Sequence, residues 1–197
     1  MIVRRIFMNN EEKTEMSLTK QIAVTAVLLA ICIASQMFKN LSVYITGPVV
    51  NLCLVLAVMI PGLKWGIILA MITPVTAFFI APSPVMQAVP GIIPLIMLGN
   101  IVLVVMAYFF FRPAVSAGRY VNARSVIMAV LSSLAKGAVM GLTISLWLLP
   151  SFIPAQSPLA GKIPVFQTMF SLVQFVTALI GFVYFFIVWG SKEMMQK

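Results

Sequence analysis

No histidine occurs in this sequence, and only four of its 197 residues are acidic. Those four, Glu11, Glu12, Glu15 and Glu193, all lie outside the apolar runs. Most site chemistry goes with them: there is no Ser-His-Asp or Cys-His arrangement, no carboxylate pair and no His/Asp/Glu shell for a metal ion. A proton relay or a carboxylate sodium site, the usual equipment of self-powered carriers, lacks its residues as well. The phosphate-cradling loop G-x-x-x-x-G-K-[ST] is missing too, since Gly161-Lys162 is followed by Ile163. The sequence therefore points to no enzyme, no cofactor and no metal, and uphill transport would need energy from a partner. Cys32 and Cys53 fall inside apolar runs without ligand spacing and read as small buried hydrophobes.

What is present is mostly hydrocarbon. The chain is 62% hydrophobic and 9% charged, with a mean hydropathy of +1.11. Soluble domains sit near half apolar and a quarter charged. A bilayer core of about 30 Å takes around 20 apolar residues per helix, so the length suits roughly six closely spaced spans. The expected fold is all-α: an integral membrane bundle of six transmembrane helices over 18–190, between polar tails at 1–17 and 191–197.

The first run is Leu18 to Phe38. Pro48 opens the second, which Pro61-Gly62 closes after Ile60, and the third runs from Trp65 to Ile80. Pro74 lacks an amide donor and should kink or break that third helix; such a break is tolerable at membrane depth only where protein or a cavity covers the freed carbonyls. Ala81-Pro82-Ser83-Pro84 is too rich in proline for helix. The fourth run, Pro90 to Phe111, ends at Arg112-Pro113; the fifth begins at Arg124 and ends at Leu149-Pro150. A loop with Pro150, Pro154, Pro158 and Pro164 precedes the sixth, Val165 to Trp189.

Positive charge sets the orientation, because cytoplasmic loops collect Lys and Arg. Arg4, Arg5, Lys13, Lys20, Lys64, Arg112, Arg119, Arg124, Lys192 and Lys197 lie on one side, and only Lys39 and Lys162 on the other. Both termini are therefore expected in the cytoplasm, with the proline-rich loops after the first, third and fifth runs facing outward. The net charge of +9 reads as topology and not as a nucleic-acid surface, since the basic residues flank apolar runs instead of forming one patch.

Lys136 stands apart, near the middle of the fifth run. An ammonium there costs at least a few kcal/mol by insertion scales, which makes an intramembrane lysine a functional candidate by default. The chain supplies no buried carboxylate, so its partner is either the carboxylate or phosphate of a bound ligand, or else helix-end carbonyls or water. Thr143 and Trp147, at i+7 and i+11, share its face on a regular helix. Asn100 and Gln174 lie at comparable depth, roughly 15 Å in from the outer helix starts. Gln167 shares a face with Gln174, while Gln36, Tyr44, Asn51 and Gln87 fall at or just beyond the outer ends. Each amide taken singly also suits interhelical hydrogen bonding; together they suggest an outward-opening pocket. Ala26, Ala30 and Ala34 form a small-residue stripe that lets another helix approach closely, and Gly137 and Gly141 repeat the spacing.

The combination resembles the membrane substrate-binding subunits, or S components, of energy-coupling factor vitamin transporters. The resemblance spans about 18–190. It rests on the six short spans, Ala26-Val-Leu-Leu-Ala30 and Ala30-Ile-Cys-Ile-Ala34, Gly99-Asn100, Ser133-Leu-Ala-Lys136-Gly137, and Gln174-Phe-Val-Thr-Ala-Leu-Ile-Gly181. It implies an ABC-type ATPase pair and a membrane coupling subunit as partners, and capture of a vitamin or related micronutrient at the plasma membrane beneath the loops after the first and third helices. It also implies that the alanine stripe meets the coupling subunit and that Asn100, Lys136 and Gln174 lie near the ligand. With no acidic or histidine ligands, an anionic or neutral vitamin fits better than a metal ion or thiamine. Two other classes remain open: a non-transporting assembly or regulatory subunit that pairs Lys136 with a partner's acid, and a self-sufficient small facilitator.

Overall fold

A computed structural model describes residues 16–38, 43–116 and 120–195. The expected N-terminal tail up to residue 15, together with Lys39, Arg119 and Lys197, lies outside the described residues. All regular structure among the described residues is helical. The elements are α1 (Leu18–Met37), α2 (Val43–Met59), α3 (Leu63–Ile80), the short α4 (Pro84–Ala88), α5 (Ile92–Ser116), α6 (Ala123–Phe152), α7 (Ile163–Phe170) and α8 (Leu172–Met195). Five stretches, α1, α3, α5, α6 and the joined α7–α8 segment, are long and apolar enough to cross a membrane, and α2 is a shorter apolar helix of 17 residues. Large apolar side chains such as Val27, Leu146 and Ile187 are exposed on the outside of the bundle, as a lipid-facing surface requires. The chain is a multi-pass membrane protein.

Several helix ends differ from the sequence expectation. Pro48 does not open α2 but lies inside it, because the helix starts at Val43. Pro74 does not break α3 either. The carbonyl that its missing N–H leaves free, Ala70 O, faces the Asn100 side-chain amide at 3.5 Å, so a neighbouring helix covers the gap. Pro84, expected in loop, takes the first position of α4, where its lack of an amide proton costs nothing. Arg112-Pro113 does not end α5: a π-helical turn at Ala107–Phe111 carries the Arg112 N–H back to Ala107 O, and the helix runs on to Ser116. Asn122 then caps α6 through reciprocal bonds with Ser125, and its side-chain amide donates to Ala114 O at 2.9 Å, tying the end of α5 to the start of α6. The expected sixth span divides at Ser171 (φ −120, ψ −86) into α7 and α8, and α8 continues past Trp189.

The interior has two apolar cores. Leu54, Val58, Leu103, Phe111, Phe182 and Phe185 fill one, with the Phe111 ring edge-on to Phe182 and Phe185 at 4.7 and 5.2 Å. Val85, Ile92, Ile144, Leu148 and Phe170 fill the other, at the end where α4 and the α6–α7 connection gather. Along α5 and α6, Asn100 and Lys136 fall between the residues that feed the two cores. Gly181 sets the spacing of α8 against α2: a β-carbon there would lie 2.7 Å from Asn51 Cβ and 3.1 Å from both Leu52 N and Pro48 O. Two of those atoms are backbone, so the helices would have to part.

Gly181→Val should therefore destabilise the detergent-purified protein by about 1–3 kcal/mol, the usual range for overpacking, and lower its melting temperature. Gly161→Ala, where an added β-carbon meets nothing within 4 Å, should melt like the parent. Equal melting of both variants would refute the close α2–α8 contact.

Candidate ligand-binding site

Lys136 projects from α6 into the layer between the two cores and is 3% exposed. Its Nζ donates to Asn51 Oδ1 at 2.6 Å and to Asn100 Oδ1 at 2.7 Å. Because an ammonium only donates, both amides must turn their oxygens toward it. That choice points the Asn100 nitrogen at Ala70 O. One side chain thus stabilises the cation and closes the gap at Pro74. Gly99 permits the arrangement, since a β-carbon there would collide with Met140 one turn beyond Lys136.

Among the described residues Lys136 is the one buried charged side chain. Neutral amide oxygens stabilise its charge but do not cancel it, and an ammonium has three N–H groups while two are accounted for. A cavity of about 150 Å³ adjoins it, lined by Asn51, Asn100 and Lys136 with Gln36 and Thr73 and, toward the α4 and α7 end, Met86 and Phe170. Gln36 donates from Nε2 to Thr73 O at 3.0 Å, which turns its Oε1 away. Among the described residues, that oxygen and Thr73 Oγ1 are buried with no hydrogen-bond partner. Buried polar atoms left so cost about 1–3 kcal/mol each. One small space is therefore bordered by a cation with a spare N–H and by the side chains of Asn51, Asn100, Gln36 and Thr73.

Of the residues expected at a pocket, Lys136, Asn100, Gln174, Gln36 and Asn51 line this cavity. Asn51 does so from the middle of α2, not from an outer end, because the helix begins five residues before Pro48. Gln174, from the first turn of α8, donates to Met169 O at 3.3 Å across the break. The other expected residues are elsewhere. A π-helical segment at Gly141–Leu148 widens the turns of α6, so its buried face runs Lys136, Met140, Ile144, Leu148, and the i+7 and i+11 positions rotate away. Thr143 bonds back to Val139 O at 2.7 Å, and Trp147 is 58% exposed. Gln167 exchanges bonds with Ser145 of α6: its Nε2 donates to Ser145 O at 2.9 Å, while Ser145 Oγ donates to Gln167 O at 2.8 Å. Tyr44 and Gln87 are exposed and do not line the cavity.

Sequence reasoning missed Thr73 and Thr46, which also line the cavity. Each stands one or two residues before an in-helix proline, a signal that was available. The two small-residue stripes separate clearly. Gly137 and Gly141 pack internally, close to Phe175 and Ser171, whereas Ala26, Ala30 and Ala34 are exposed along α1. Comparison of the chain with protein-family models, with curated proteins and with solved structures found no match.

Asn100→Leu should destabilise the protein by about 2–4 kcal/mol, since it removes one partner of Lys136 and the cover of Ala70 O. Asn51→Asp, which sets a carboxylate against the ammonium, should melt at or above the parent temperature. Thermal melts in detergent check both, and an Asn100→Leu protein as stable as the parent would contradict the bonding described.

Proposed function

We propose that this protein is the substrate-capturing subunit of a multi-component importer of the energy-coupling factor type, not an enzyme, and that it binds a vitamin-like micronutrient beside Lys136. The observation that carries the reading is the lysine itself: an unneutralised buried cation with a spare N–H, beside a cavity lined by further polar side chains. A structural lysine would have its donors satisfied and no space beside it. The absence of intramembrane acids leaves the chain without its own means of coupling to an ion gradient, which favours a partner ATPase pair acting through a membrane coupling subunit.

The charge asymmetry supports placement in the cell membrane with both termini cytoplasmic; the cavity then lies toward the outer end, bordered by Val43 at the start of α2 and by Ser83 and Met86 after α3. The exposed alanine stripe on α1 suits close docking of the coupling subunit's helices. Burial of Lys136 also weighs against a regulatory subunit that pairs this lysine with a partner's acid, because at 3% exposure it faces the interior of its own bundle.

Ala30→Trp should abolish co-purification with the coupling subunit while the isolated chain keeps its ligand. Lys136→Met should do the reverse: the complex assembles, and both ligand retention, read by mass spectrometry of the gently purified protein, and cellular uptake fall at least about tenfold. Normal assembly of the Ala30→Trp protein would make the stripe a lipid-facing surface. Unchanged retention by Lys136→Met would remove the lysine from the site.

A further inference from the structure

Charge balance, hydrogen-bond valence and volume at the cavity together define its occupant more narrowly than a vitamin-like solute. We infer that it is a compact monocarboxylate with an apolar body. This rests on the ligand-binding reading of Lys136 but not on transport.

The charge comes first. A site at membrane depth that holds one cation and no described carboxylate is neutralised by a single negative charge. A phosphate monoester carries about −1.5 to −2 near neutral pH, which would leave uncompensated charge in the apolar interior. A zwitterionic amino acid would return the site to net positive, with nothing beside its ammonium to accept the charge. A monocarboxylate balances it.

Valence agrees. An ionised carboxylate only accepts, through two oxygens. The lining offers it donors: the third N–H of the Lys136 ammonium, and the side-chain amide nitrogen of Asn51, whose oxygen is already taken by that lysine.

Size and lining set the body. A cavity of about 150 Å³ holds a molecule on the order of six to ten non-hydrogen atoms, since an engineered apolar cavity of similar volume accommodates benzene. It falls below the roughly 300–1,000 Å³ of pockets for drug-sized ligands. Beyond the polar cluster the walls are apolar, with Val50, Ala77, Ile96, Met169 and Phe170 among them, which suits a branched aliphatic or single-ring body.

The test is isothermal titration of the purified full chain in detergent, with matched probes that change one property at a time. Phenylacetate and isocaproate carry the carboxylate, phenylacetamide and isocaproamide lack the charge, and phenylglycine and leucine are zwitterions. At least one of the two acids should bind, at least about tenfold more tightly than its amide and its zwitterionic partner. Lys136→Met should lose this binding, and so should Asn51→Asp, which neutralises the cation in place; the latter keeps the experiment decisive if the former does not fold. Binding of neither acid, equal binding of the amides or the amino acids, or unchanged binding by Asn51→Asp would overturn the inference. So would displacement of the acid by stoichiometric oleate, which would make the site a seat for a lipid carboxylate. Binding of the acid without uptake by the assembled complex would instead leave the site standing and refute the importer reading.

Discussion

The middle of the bundle is organised by one ammonium held between two asparagine oxygens. Lys136 brings a charge to a depth where water is scarce, and its two partners come from α2 and α5. The three helices α2, α5 and α6 are thereby fixed relative to one another at one level. Apolar packing alone cannot do this, because lipid tails are as apolar as leucine and give helices little reason to prefer one register. The phenylalanine cluster at one end and the residues around Phe170 at the other supply contact area. The polar layer between them supplies register.

That layer also explains how α3 tolerates a proline. A helix interior without one N–H leaves a carbonyl that must find a donor inside the membrane. Asn100 offers its nitrogen to Ala70 O, and Gln36 offers its own to Thr73 O one residue before the proline. Each amide has its orientation decided by what one end must face. Oxygen and nitrogen of Asn100 then both have partners, while the Gln36 oxygen has none among the described residues. One amide is thus fixed at both ends and the other at one.

Much of this was legible in the chain. The number of apolar segments, the isolation of Lys136 and the relevance of Asn100, Gln36 and Gln174 follow from hydropathy and from the expense of polar groups in hydrocarbon. The part that was not legible concerns helix phase. Pro48 looks like a start because proline usually is one, and that reading moved Asn51 to a helix end when it sits at mid-helix opposite Lys136. Thr143 and Trp147 fall on the lysine face only if α6 keeps an even 3.6-residue turn. The π-helical segment from Gly141 shifts that phase, and no residue in Gly141–Leu148 announces it. The break at Ser171 is equally silent, since serine is common inside membrane helices and Gln167 and Gln174 look like neighbours across it.

That break has a mechanical consequence. Met169 and Phe170, two walls of the cavity, ride on an eight-residue helix joined to α8 through the single non-helical residue Ser171. Lys136, Asn51 and Asn100 sit on long helices locked by their own bonds. The floor of the cavity is thus held through Lys136, and this wall through separate bonds, Gln174 to Met169 O across the break and Gln167 with Ser145 of α6, so the seat of the charge and the shape of the chamber are set by different residues.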